Sequence, residues 1–256
     1  MLNELSLKMI QNSGDQLKQP VRLVVFVKDA SCPAVVQLAR AIKAQLGKIA
    51  LEIYDIVMDR DKTEQYGIKR VPALVVQAGD GNRVTLYGSP ENVSLEVLLN
   101  AIHGVSEKKR WFPEDVRQSL GHLTRSVTIR VFIDNNSQQS KFVAETALGF
   151  ALGSEYVDAD IIVAADFPEL ARKHHVTTLP KTIFGEDLYM EGNILETDFL
   201  GMIFQAEGIQ SAPDMKCLVC GKPAQSAICL NCKTRIESEA FKRKIESEKQ
   251  KAPDTR

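Results

Sequence analysis

VRLVVFVKDASCPAVVQLARAIKAQL, residues 21–46, and VTIRVFIDNNSQQSKFVAETALGFAL, residues 127–152, are one pattern written twice. Each opens on a continuous β-rich apolar run, as expected of a strand covered on both faces. A short polar turn follows, then a segment with apolar residues at three- and four-residue spacing, which predicts a helix. The helical stripe is Val35, Leu38, Ile42 and Leu46 in the first copy, and Phe142, Thr146 and Phe150 in the second. The repeat continues outward from both stretches, through 50–77 and 83–102 in the first copy and 156–184 and 187–203 in the second. Each copy reads strand, helix, strand, short helix, strand, strand, helix. The copies start about a hundred residues apart, which predicts a duplicated domain rather than a solenoid.

A helix is predicted ahead of each copy, over 4–11 and 113–123. In the second, Pro113 followed by Glu114 and Asp115 suits a helix start: a missing N–H costs nothing there and acids favour the dipole. VSEKKRW, residues 105–111, reads as the junction. The expected organisation is one unit over 1–108, a second over 109–208, a cysteine-rich segment over 209–236 and a polar helical or disordered tail over 237–256.

The chain has 256 residues, 44% of them hydrophobic, enough for one large domain or two small ones. A net charge of −1 argues against a nucleic-acid protein overall. No apolar run approaches the roughly 18–20 residues that span a bilayer. The first sixteen residues lack an apolar signal-peptide core, so a cytoplasmic protein is expected, with no membrane partner.

Of five cysteines, Cys32 stands alone and the other four fall at Cys217, Cys220, Cys229 and Cys232. The spacing C-x2-C-x8-C-x2-C fits two metal knuckles facing each other across a short hairpin, and Gly221 permits the tight turn after the second ligand. Four thiolates in a tetrahedral arrangement select Zn2+, with iron the minor alternative. A site closed by four cysteines has no open position, so the metal is expected to be structural and to supply the segment's folding energy. Lys216, Lys222, Lys233 and Arg235 flank the cluster and read as a solvated rim.

VVFVKDASCPAVVQL, the proline turns KRVPALVV and TTLPKTIF, and their lead-ins TEQYGIKRVP and PELARKHHVTTLP together resemble the thioredoxin fold in tandem. More specifically, they are similar to the glutaredoxin-like protein disulfide oxidoreductases, which fuse two thioredoxin units in one chain; the resemblance covers roughly residues 1–207. It implies an α/β fold of two thioredoxin-like units, each a mixed sheet flanked by helices, with the zinc ribbon added behind them. It also implies cis peptide bonds at Val71–Pro72 and Leu179–Pro180, whose turns leave a backbone edge free for an extended substrate or partner.

Thiol–disulfide exchange needs an attacking thiolate and a second cysteine to release the mixed disulfide. The family's pair falls on Cys32 and Val35 in the first unit, so the attacker is present and the resolver absent. In the second unit it falls on Ser137 and Ser140, hydroxyls that are poor nucleophiles without an adjacent base. An alternative register equates Ser31 and Ala34 with the pair and leaves Cys32 incidental. His174 and His175, near Pro180, are expected to be surface histidines.

Two functions remain open on these residues. One is a redox-degenerate protein-binding or adaptor module that docks partners through the proline-turn groove, the zinc ribbon or both. The other is a monothiol oxidoreductase, or a sulfur or persulfide carrier in redox homeostasis, that uses Cys32 with a low-molecular-weight thiol. At a helix start, unpaired N–H groups and the dipole would favour the Cys32 thiolate, with Lys28 adding to the effect. A half-buried cysteine filling space is the plain structural reading.

Overall fold

The structure, a computed structural model, describes residues 4–13, 17–28, 32–77 and 83–208, and beyond them 216, 217, 219–224, 229, 231, 232 and 235. The expected tail over 237–256 lies outside the described residues, as does Ser31 of the alternative register.

After helix α1 (Glu4–Asn12), the first unit runs β1 (Val21–Val27), α2 (Pro33–Leu46), β2 (Ile49–Asp55), α3 (Arg60–Gln65), β3 (Ala73–Gln77), β4 (Arg83–Tyr87) and α4 (Asn92–Glu107). After α5 (Glu114–Leu120), the second repeats it as β5 (Val127–Ile133), α6 (Gln138–Gly153), β6 (Val157–Val163), α7 (Pro168–Lys173), β7 (Lys181–Phe184), β8 (Leu188–Glu191) and α8 (Glu196–Glu207). The second unit adds a 3-10 turn at Ala164–Asp166 before α7. The element order is the one the repeat predicts.

All eight strands form one sheet in the order β2-β1-β3-β4-β6-β5-β7-β8. The units therefore join edge to edge: β4 of the first pairs in parallel with β6 of the second, with Thr85 opposite Asp160 and Leu86 opposite Ile161. On one face of the sheet, α2, α4, α6 and α8 share a single apolar core that crosses the seam. On the other, only the six-residue helices α3 and α7 cover the sheet among the described residues, each over a small core of its own around Phe26 and Phe132 respectively.

Period-two geometry sends alternate residues of a strand to opposite faces. In the three strands at the seam this puts Val84, Ile129, Ala159 and their neighbours into the large core, and Arg83, Thr128, Arg130, Asp158 and Asp160 on the face between α3 and α7. The expectation of a strand covered on both faces is corrected here for β5: neither short helix covers the middle of the sheet, so β5, like β6, alternates buried and half-buried residues in its first half.

The junction is packed rather than loose. Residues 105–107 complete α4, and Lys108 caps it in a left-handed conformation. Trp111 and Phe112 then turn back onto the core, where the Phe112 and Phe150 rings lie 4.3 Å apart. Glycine is required for that approach: a Cβ at Gly104 would stand 2.7 Å from the Trp111 ring, and one at Gly149 would stand 2.9 Å from Phe112.

The stripe Val35, Leu38, Ile42 and Leu46 is buried as expected. In α6 the buried face is rotated. Phe142 is half exposed, while Val143, Ala147 and Phe150 fill the core, because α6 packs against α4 as well as its own sheet. Lys141 pairs with Glu96, and Asn100 donates to Glu145 across that contact.

Candidate functional site

Each unit has a corner where the chain leaves its central strand and enters a long helix. In the first, Cys32 is the N-cap residue of α2, Pro33 opens the helix and Val35 lies in the first turn. Val35 is buried in the large core, and Cys32 is half-buried against it. The Cys32 side chain makes no capping hydrogen bond.

In the second corner Ser137 is the N-cap of α6, and its Oγ accepts from the Ser140 backbone N–H at 3.2 Å. Ser140 is fully buried, and its Oγ accepts from the Asp134 N–H at 3.1 Å. N-cap matches N-cap, so by helix position Cys32 corresponds to Ser137 and Val35 to Ser140. Counted from the strands the match shifts by one. Phe26, opposite Ala73, and Phe132, opposite Lys181, are equivalent, yet Cys32 follows its phenylalanine by six residues and Ser137 by five, a count that favours the alternative register.

The second corner also reaches into the first unit. The Ser94 and Val93 N–H groups at the start of α4 donate to the side-chain and main-chain oxygens of Asn135, at 3.1 and 3.2 Å. Asn92 donates to Asn136 at 3.0 Å. These donors are the orphan groups of a helix start, so the turn at 134–136 works as a cap for the neighbouring unit. Sequence reading missed this role; the Asn-Asn pair, favoured at caps and turns, was the available signal.

The peptide bonds Val71–Pro72 and Leu179–Pro180 are cis. Pro72 immediately precedes β3 and Pro180 precedes β7, so each stands beside the end of the strand that leads into its corner. The proline carbonyls accept from Gly88 and Gly192 at 3.0 and 2.9 Å. Val71, Pro72 and Leu179 are partly exposed, whereas Pro180 is buried. The expectation for the two histidines holds for one: His175 is exposed, but His174 is half-buried with its ring 5.6 Å from that of Phe132.

The sulfurs of Cys217, Cys220, Cys229 and Cys232 lie within 4.8 Å of one another, positioned to bind a metal ion. The first knuckle closes through Gly221 N–H to the Cys217 carbonyl and Cys217 N–H to the Lys222 carbonyl, both 2.8 Å, with Gly221 at φ +68°. The backbone N–H of Cys229 points at the Cys217 sulfur at 3.2 Å and, with those of Cys220 and Val219, pulls that thiol to about 6. Burial, then hydrogen bonds from the other three sulfurs, push Cys232 up. Four clustered thiols that cannot all ionise together fit a cation between them, since the ion removes the mutual repulsion.

Solved structures carry the same architecture. The N-terminal domain of the alkylhydroperoxide reductase AhpF from Enterococcus faecalis superposes with a TM-score of 0.70 at 18% identity, over 79% of this chain and 100% of that one. A protein disulfide oxidoreductase from Aeropyrum pernix gives 0.71 at 21% identity, over 81% of this chain and 95% of that one. The chain has the tandem thioredoxin fold. At these identities the likeness concerns fold alone. No protein-family model matches the sequence, and no curated protein is significantly similar to it. Among the described residues no helix is long and apolar enough to cross a membrane.

Proposed function

We propose that this is a redox-degenerate tandem thioredoxin-like protein that binds other proteins, as an adaptor, in the cytoplasm. The observation that carries the reading is the second corner. Ser137 caps α6 and Ser140 accepts from the Asp134 N–H, while Asn135 and Asn136 bond the start of α4 in the other unit, so the groups at the former redox positions hold the corner's structure instead of exchanging thiols. In the first corner an aliphatic side chain, Val35, is packed where a resolving thiol would stand. What such a body keeps for a partner is the pair of proline turns, at Val71–Pro72 and at Leu179–Pro180. Zinc in the four-cysteine site would hold the C-terminal segment as a second docking surface. The donor set of four thiolates favours Zn2+ over iron, and a closed site favours a structural role.

The half-buried Cys32 at the start of a fourteen-residue helix supports a second reading, monothiol chemistry with a low-molecular-weight thiol. Disulfide reduction with glutathione, compared between wild type and Cys32→Ser, separates the two. Equal turnover with an unperturbed thiol in pH-dependent alkylation, near about 8.5, supports the adaptor. Turnover that depends on Cys32 sinks it. Metal analysis should give one zinc per chain, lost on Cys220→Ser; iron at the same stoichiometry would replace zinc in the proposal.

A further inference from the structure

A cleft of about 590 Å³ opens on the sheet face that α3 and α7 leave uncovered, directly over the seam between the units. Its size falls in the roughly 300–1,000 Å³ range of small-molecule sites. Both units build it. The first supplies Lys69, Arg70 and Arg83, and the second supplies Arg130 and Lys173. The acids that line it are Asp160 on β6 and Glu186 and Asp187 in the turn between β7 and β8, so the five basic side chains outnumber them.

The cations differ in how far they are already engaged. Arg83 stands 3.3 Å from Asp158 Oδ2 and donates to the Tyr66 carbonyl. Arg130 donates to the Gly185 carbonyl at 2.6 Å through one of the five N–H groups of its guanidinium. Lys69, Arg70 and Lys173 make no ion pair among the described residues. The field these groups produce is felt on the wall, where burial and then Arg130, Lys173 and Arg70 hold His174 below the usual histidine range. Tyr87, Ile162 and Leu170 give the cleft an apolar floor.

We propose that this seam cleft binds a small polyanion, a molecule whose clustered negative oxygens come from a pyrophosphate or from several carboxylates. Guanidinium groups suit such oxygens because their planar donors match them in pairs. Convergence of cations from two units makes the site a property of the tandem. It closes only where β4 meets β6, so neither unit alone contains it. The inference is independent of the adaptor reading, since it uses neither corner and no cysteine.

Calorimetric titration of the full chain with inorganic pyrophosphate, and separately with citrate, at constant ionic strength tests it. One saturable site per chain is expected. Preference for pyrophosphate assigns a phosphoryl ligand and preference for citrate assigns a polycarboxylate; either supports the site. Arg70→Ala with Lys173→Ala, changes at the cleft rim that leave the fold intact by circular dichroism, should weaken binding at least about tenfold through loss of charge-assisted contacts. Asp160→Asn, which removes a like charge, should tighten it, an effect that structural damage does not imitate. Absence of saturable binding with both anions overturns the proposal. So does binding that the rim double variant keeps in full, that Asp160→Asn weakens, or that is lost instead in Lys108→Ala with Lys109→Ala at the separate basic pocket beside Trp111.

Discussion

The corner at Cys32 and the corner at Ser137 hold the same place in the two units, yet their side chains are put to different uses. At Ser137 the polar groups are satisfied within the protein, down to the caps that the Asn135 turn provides for α4. At Cys32 the sulfur makes no capping bond, and an aliphatic residue fills the first turn behind it. The second corner is structural, whereas the first presents a thiol with an aliphatic side chain packed behind it. The two corners therefore differ in their physical consequences, and each can be probed by itself.

The sharpest break in the comparison comes from restoring the missing group. Val35→Cys recreates a two-cysteine corner in the first unit, and packing should tolerate it because cysteine behaves as a small hydrophobe. Disulfide reduction with a dithiol reductant should rise from background to measurable turnover. Ala34→Cys, one position earlier, should give no gain. A gain from Ala34→Cys alone would overturn the pairing of Cys32 with Ser137. Ser137→Cys with Ser140→Cys in the second corner should gain less, because one change weakens the α6 cap and the other the hydrogen bond from the Asp134 N–H.

The next effect is on stability. Ser140→Ala removes the buried hydroxyl that accepts from the Asp134 N–H, a lost hydrogen bond worth about 0.5–1.5 kcal/mol. Urea denaturation reads this directly. A change under about 0.5 kcal/mol, the size of an ordinary surface substitution, would mean that the second corner is not structural after all.

Between the corners lies the seam, where Asp160 should respond to pH. Burial pushes its carboxyl up to about 6 from an ordinary value of 3.8, against the pull of Arg83 and Arg130. A raised acid costs stability when ionised. The penalty is fully present above about pH 6 and is relieved as pH falls towards the unfolded value near 4. Asp160→Asn should therefore stabilise the protein by roughly 1–2 kcal/mol at pH 7.5 and by almost nothing at pH 4. Melting temperature against pH for both proteins checks it, and a gain that does not vary with pH would assign the effect to packing.

How these features were legible follows from the range over which each acts. The strands, the long helices, both proline turns and the cysteine spacing are local patterns, and residues 21–46 with 127–152 were enough to read them. The seam was not. Nothing within β4 specifies β6 as its neighbour, because the pairing of Thr85 with Asp160 joins residues 75 positions apart. Its trace was present in Val-Asp-Ala-Asp at 157–160, where two acids alternate with apolar residues. The exposure of Phe142 has the same origin, since α6 turns its face towards a helix of the other unit. The cap that Asn135 gives α4 is likewise a contact between units that neither local pattern contains.

The smallest predicted effect isolates the first turn of the two helices. Ser137→Ala removes an N-cap acceptor and should cost about 1 kcal/mol. Cys32→Ser introduces a preferred cap residue where the present side chain caps nothing, at the cost of the sulfur's contact with the core. The two terms oppose, so the net change should lie between zero and about 0.5 kcal/mol of stabilisation. Equilibrium unfolding of both variants in one buffer gives the contrast. If Cys32→Ser costs as much as Ser137→Ala, the thiol is a packing element and the first corner is as structural as the second. If it costs nothing, stability gives no reason for a sulfur at position 32, and the reason must be sought in what that thiol meets in solution.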